Sequence, residues 1–368
     1  MQTSASSPAS AAKAGAHNLL AGCAGVKRGD TVLLIVEPPG EGYYDDDMGA
    51  FIAAEAEGLG ALPTILESPS SCDPDKPPAD VMAAIAATDH TIFLSRIGDQ
   101  LRFRPLPGAG TKTMSYALDF DFLASPFGTT PFGLLFDAAI NLSGRLAQAK
   151  TYRIQCPLGT DLTMALGEGR PLAAGDFVVK TFPMMILPPL SSAGANGTLV
   201  LSQSLTSTYI HAYDDSIIPL DRPLTLTIEG GRIVGMEGEP EAVARTKAQF
   251  ERVASLFGEP VFTVNSWHAG VNPTTWFPRP ALSDIDRWAG VVFGSPRYVH
   301  FHMCGPSPGD ICGQVFDPTI SFDGEALWDG GRLAFLDRAD NLALLQRYGV
   351  GPEAYKTRRD IGLTGEAA

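Results

Sequence analysis

At 368 residues, with 45% apolar side chains, the chain is long enough for two domains with cores of their own. Its 41 acidic against 27 basic residues give a formal net charge of -14 with no basic block, which excludes nucleic-acid binding through backbone electrostatics. No apolar run of about eighteen residues occurs, and the Ser- and Ala-rich start lacks the basic head and apolar core of a secretory signal. The expectation is a cytoplasmic chain with no membrane span.

Residues 1–15 read as a flexible tail, and 11–25 as an Ala- and Leu-rich helix ending near Gly25. Thr31–Val36 is a short continuous apolar run, the pattern of a buried parallel strand. A helix over 46–60, closed by Gly58 and Gly60, precedes a second strand at 62–66. Pro, Ser and Asp crowd the loop 67–78; helix returns at 79–87 and strand at 91–95. Strands alternating with helices predict a doubly wound α/β domain over 16–140. The Pro38-Pro-Gly-Glu-Gly42 loop after the first strand is not a nucleotide cradle, because two prolines remove amides that a phosphate needs. A substrate loop at the carboxyl end of that strand stays open.

Residues 130–149 form a long predicted helix, with Phe132, Leu135, Phe136, Ala139, Leu142 and Leu146 at helical spacing. The texture then turns to β: a strand at 152–155, then short runs at 176–182, 197–202 and 223–229. Gly230-Gly231 signals a hairpin, and one helix is predicted over 240–257. The domain boundary falls between 125 and 155, so 141–368 is read as a mainly β, α+β, metal-binding catalytic domain. Five cysteines, at 23, 72, 156, 304 and 312, have no disulfide-framework spacing.

The sharpest chemical signal is histidine. Three of six lie close together, in Asn265-Ser-Trp-His268 and Val299-His300-Phe-His302. On a strand, His300 and His302 leave the same face, roughly 7 Å apart along the chain. With His268 they make a three-imidazole set that leaves positions open for substrate, water or dioxygen. The competing reading is a chance His-x-His, with one or both of its rings simply bonded to backbone. His211, beside Tyr213, Asp214 and Asp215, is a further candidate. Asp310 follows the turn-rich Gly305-Pro-Ser-Pro-Gly309 and reads as an orienting partner for a ligand histidine or as a base; Asp317 and Asp323 are weaker versions of the same idea. Trp276 and Phe277, on a proline-stiffened loop, line a flat substrate or fill the core. Arg279 on that loop suits a carboxylate or enolate, or a surface ion pair.

Several segments together resemble the thermophilic-type metallo-aminopeptidase superfamily. They are Asn18-Leu-Leu, Gly25-Val-Lys-Arg-Gly-Asp-Thr-Val-Leu, Ala195-Asn-Gly-Thr-Leu-Val, Leu224-Thr-Leu-Thr-Ile-Glu-Gly-Gly-Arg-Ile-Val, Ala269-Gly-Val-Asn-Pro273 and the strand Tyr298–Met303. The resemblance spans most of the chain. Peptidases of that group hold two metals, with a Gly-Glu ahead of a β-hairpin and a His-x-Asp strand. Here Met184-Met-Ile-Leu-Pro-Pro-Leu-Ser carries no glutamate, and the strand reads His300-Phe-His302. A carboxylate is missing at each place, which favours one ion over two.

A second branch, the iron(II)-dependent 2,5-dihydroxypyridine 5,6-dioxygenases, resembles the chain better. That resemblance implies one Fe2+ and the opening of an electron-rich aromatic ring by dioxygen. It places metal ligands at His268, His300 and His302, with histidine where the family has aspartate at 302. Either three histidines form the set, or Asp310 or another acid completes it. His211 or Asp310 is the expected base, Arg279 a further catalytic or substrate-binding side chain, and Trp276 and Phe277 the ring's neighbours. The expected partners are a small aromatic substrate and dioxygen, in a homo-oligomer. The alternatives are a zinc- or manganese-dependent hydrolase, and a binding protein that kept the fold without the chemistry.

Overall fold

The computed structural model describes residues 8–73, 75–102, 104–167, 179–208, 213–258, 260–305 and 310–363. The chain divides into two compact units, Met1–Phe136 with Gly175–Met184, and Asp137–Ala174 with Met185–Ala368.

The first unit is built on a five-stranded parallel sheet in the order Leu62–Glu67, Thr31–Val36, His90–Leu94, Thr111–Ser115, Lys180–Phe182. The four central residues of Thr31–Val36 are buried, as a continuous apolar run in a central strand requires. Helices Met48–Gly58 and Ala79–Ala86 link successive strands. The strand order reverses beside Thr31–Val36, which is the topology of a doubly wound α/β sheet. The Pro38–Gly42 loop leaves this reversal point, and its flanking carboxylates are engaged from within. Arg96 donates to Glu37 through Nε at 2.9 Å and Nη2 at 3.0 Å, and to Glu41 at 3.0 Å.

Two features depart from the sequence expectation. The first helix, Pro8–His17, begins inside the stretch read as a tail. Alanine at five of its ten positions supplies the propensity. Gly15 lets the helix approach closely, since a Cβ there would sit 2.0 Å from the Leu123 carbonyl oxygen. Secondly, Lys180–Phe182 lies within a run assigned to the later β region, yet it pairs with Thr111–Ser115 at the edge of the first sheet. A three-residue strand goes where an open edge accepts it, and position in sequence does not decide that.

The second unit holds an antiparallel sheet of eleven strands. Its path runs Glu325–Trp328, Thr319–Phe322, Thr151–Gln155, Asp161–Ala165, Asn196–Ser207, Ile311–Phe316, Tyr298–Met303, Val264–Ala269, Leu190–Ser191. Ile218–Glu229 adds to Asn196–Ser207 and turns back into Arg232–Glu237. That turn is the expected Gly230-Gly231 hairpin, with φ of 55° and 76°, both in the left-handed region open to glycine. Pro240–Phe257 is the long helix expected there. Arg297, 1% exposed, makes a two-pronged ion pair with Asp317, both contacts at 2.6 Å. No helix among the described residues is long and apolar enough to cross a membrane.

Candidate metal centre

Three neighbouring strands, Val264–Ala269, Tyr298–Met303 and Ile311–Phe316, carry the centre. In register, His268 lies opposite His300 and Ser266 opposite His302; on the other side, Gln314 lies opposite His300 and Cys312 opposite His302. Directly opposed residues project from the same face. One face of this part of the sheet is therefore paved with polar side chains. The other face carries Trp267 and Phe301, and there Trp267 packs on Tyr152 at 5.3 Å and on Phe322 at 6.3 Å between ring centroids. All six residues of Tyr298–Met303 are buried, so the polar face is as dry as the apolar one.

His268, His300 and His302 each offer a ring nitrogen, and these atoms all lie within 4.8 Å of one another. The three residues are 9%, 3% and 4% exposed. The His268 and His300 rings stack at 4.8 Å, 9° from parallel, and His302 stands edge-on to both at 5.0 and 4.9 Å. Phe293 stacks on His300 at 4.6 Å.

Backbone fixes the first ring. His268 Nδ1 lies 2.7 Å from the Leu187 carbonyl oxygen, which only accepts, so Nδ1 carries the hydrogen and Nε2 the lone pair of the neutral ring. Leu187 is held in place because its own N–H donates to Ala269 O at 3.0 Å. His302 Nδ1 sits 3.5 Å from Thr208 Oγ1 and 3.4 Å from Cys312 Sγ.

This donor set fits a single first-row divalent ion. Bonds of about 2.1 Å require the nitrogens to lie no more than about 4.2 Å apart, within reach of side-chain rotation from the observed spacing. No carboxylate of the described residues joins the group. Three neutral imidazoles would leave both charges of such an ion uncompensated by these ligands.

The polar face extends past the histidines onto Asn196–Ser207. Thr206 lies opposite Cys312, and Gln314 Nε2 donates to Ser204 Oγ at 2.9 Å. Sequence reasoning missed Gln314, Ser204, Thr206 and Thr208. A signal was present: Ser202, Ser204, Thr206 and Thr208 put a hydroxyl at every second residue, the period of one strand face.

The other sequence candidates have the following contacts. Arg279 pairs with Asp284 at 3.1 Å with its side chain half exposed, the surface ion-pair alternative. Phe277 is 1% exposed and its N–H bonds to Asp360 O at 2.8 Å, as a core residue. Trp276 is half-buried under the Arg358 guanidinium, 5.1 Å from its ring centre. Asp310 accepts from Tyr213 Oη through its backbone carbonyl at 3.1 Å, and its carboxylate is outside the histidine group. Asp317 is committed to Arg297, and Asp323 accepts from the amides of Lys150 and Thr151, both at 2.9 Å. His211 lies outside the described residues.

No family model matches the chain, and no curated protein sequence matches it. Solved structures do. The chain is similar to 2,5-dihydroxypyridine dioxygenase from Pseudomonas putida KT2440, with a TM-score of 0.58 and 17% identity over 89% of this chain and 97% of that one. It is also similar to wild-type AmpT from Thermus thermophilus, with a TM-score of 0.54 and 13% identity over 89% of this chain and 100% of that one. At these identities the likeness establishes the shared fold.

Proposed function

We propose that the chain is a mononuclear iron(II) dioxygenase that opens a hydroxylated aromatic or heteroaromatic ring. One observation carries the reading: three histidines converge on a buried sheet face with no carboxylate of the described residues joining them, in a fold shared with a 2,5-dihydroxypyridine dioxygenase. His268, His300 and His302 would hold the ion. Bound iron(II) supplies the path by which electron density passes from an electron-rich ring to dioxygen.

The protein's own part is position and charge. The Leu187 carbonyl holds His268 in one tautomer and one orientation. The neutral triad leaves the centre positive, which favours an anionic ring and lowers the pKa of its hydroxyl. The buried face keeps water from competing for the centre. The proton leaving the ring hydroxyl needs a base, and His211 and Asp310 are the candidates we keep for that role.

The decisive experiment joins metal content of anaerobically purified protein to oxygen uptake on hydroxylated pyridines and phenols. Near-stoichiometric iron, with one dioxygen consumed per ring opened and no free peroxide, is the expected result. Equal turnover of an amide or ester with zinc under argon would instead establish a metal-dependent hydrolase on the same residues.

A further inference from the structure

The polar face beside the histidines holds an acceptor that the ligation reading does not use. Gln314 is 0% exposed and sits in register opposite His300. One N–H of its Nε2 donates to Ser204 Oγ, and Oε1 is the acceptor of the side chain. Among the described residues no donor reaches Oε1. The hydroxyls of Ser202 and Thr206, on the same face, and of Tyr298, two residues before His300, are likewise buried without a partner among the described residues. Buried polar atoms are paired in the great majority of cases, so a row of them next to a candidate metal centre calls for an occupant that pairs with them.

We propose that Gln314 is a specificity-determining residue of this centre, its Oε1 accepting a hydrogen bond from an N–H or protonated O–H of the substrate. The proposal rests on the metal-centre reading and deepens it. A neutral amide oxygen repels a phenolate or carboxylate oxygen and rewards a donor. It therefore selects, among rings of one shape, the ring with a donor at that position. A site built to bond such a donor rejects the analogue lacking it, because the buried acceptor is then left unmatched.

The test uses two flat probes of equal size, 2,5-dihydroxypyridine, whose pyridone tautomer has a ring N–H, and hydroquinone, which has C–H there. Each is titrated anaerobically by calorimetry into iron-loaded parent, Q314M and Q314E. The parent is expected to prefer the pyridine by at least about tenfold. Q314M, unbranched and of similar length, should lose that preference with iron content unchanged. Q314E keeps an acceptor and should keep the preference. Parent-like preference in Q314M, equal weakening of both probes, or a reversed preference in Q314E overturns the proposal. A parent that takes up no iron and binds neither probe overturns the metal-centre reading along with it. Normal iron uptake with an unmoved preference in Q314M sinks the Gln314 assignment alone.

Discussion

His268 and His300 face each other across adjacent antiparallel strands, rings 9° from parallel and 4.8 Å apart. Two bare imidazoles gain little from such a pairing in a dry interior. Two imidazoles that share an ion gain a great deal. His300→Ala is therefore expected to weaken metal binding by at least about 100-fold, more than loss of an orienting partner costs. Metal per chain after anaerobic purification reads the effect, and far-ultraviolet circular dichroism should scarcely change. Stoichiometric metal in the variant would remove His300 from the centre.

His302 occupies the strand position next along the same face, 5.0 Å from His268. Replacing it by aspartate exchanges a neutral ligand for an anionic one and lowers the charge of the loaded centre by one unit. His302→Asp should still bind iron, bind an anionic substrate more weakly, and shift the pH dependence of substrate binding to higher pH. A variant that matches the parent in metal content, substrate affinity and pH profile would place His302 outside the ligand set.

How much of this was legible in the sequence depends on the range of the forces involved. His300-x-His302 was readable because strand geometry is local: a period of two puts both rings on one face. Gly230-Gly231 was readable because two left-handed residues in a row call for glycine. The approach of His268 was expected from the clustering of three histidines in one stretch, and register pairing delivers it. Trp276, Phe277 and Arg279 share a loop with the expected site, yet their neighbours are Arg358, Asp360 and Asp284. Those partners are set by tertiary packing that no local pattern encodes. The β run ending at Phe182 was readable, but its pairing at the edge of the first sheet was not, for the same reason.

The orienting contacts on His302 give a third expectation. Cys312 Sγ and Thr208 Oγ1 both approach its Nδ1, which leaves Nε2 as the nitrogen available to an ion. Cys312→Ala combined with Thr208→Val should lower metal affinity roughly 10- to 100-fold while leaving the ligand set intact. Competition with a chelator of known affinity measures it. An unchanged metal dissociation constant would show that the ring is held by packing alone.

Away from the centre, Arg297 and Asp317 form a buried ion pair, and Arg359 also reaches Asp317 at 3.3 Å. Removing one partner leaves a charge stranded in the interior. Arg297→Ala should cost about 3–5 kcal/mol of folding stability, at the lower end because Arg359 remains near Asp317. Urea unfolding of parent and variant gives the difference. A loss below about 1 kcal/mol would mean that water or Arg359 replaces the guanidinium in full.

Asp323 makes the pH dependence testable at one residue. The Lys150 amide above all, joined by the Thr151 amide and hydroxyl and the Arg145 charge, holds its carboxyl below the usual carboxylate range, against an opposing effect of desolvation second in size to the Lys150 contact. A carboxyl with a depressed folded-state pKa binds its proton more readily in the unfolded chain. Its contribution is therefore fully present above the unfolded value of about 4 and is lost as pH falls through the folded one. Asp323→Asn keeps the shape and removes the titration. The stability gap between parent and variant should be widest near pH 6 and shrink steadily toward pH 3, read from urea midpoints at each pH. A gap that holds constant across that window would show that the charge on Asp323 adds nothing to the two amide contacts.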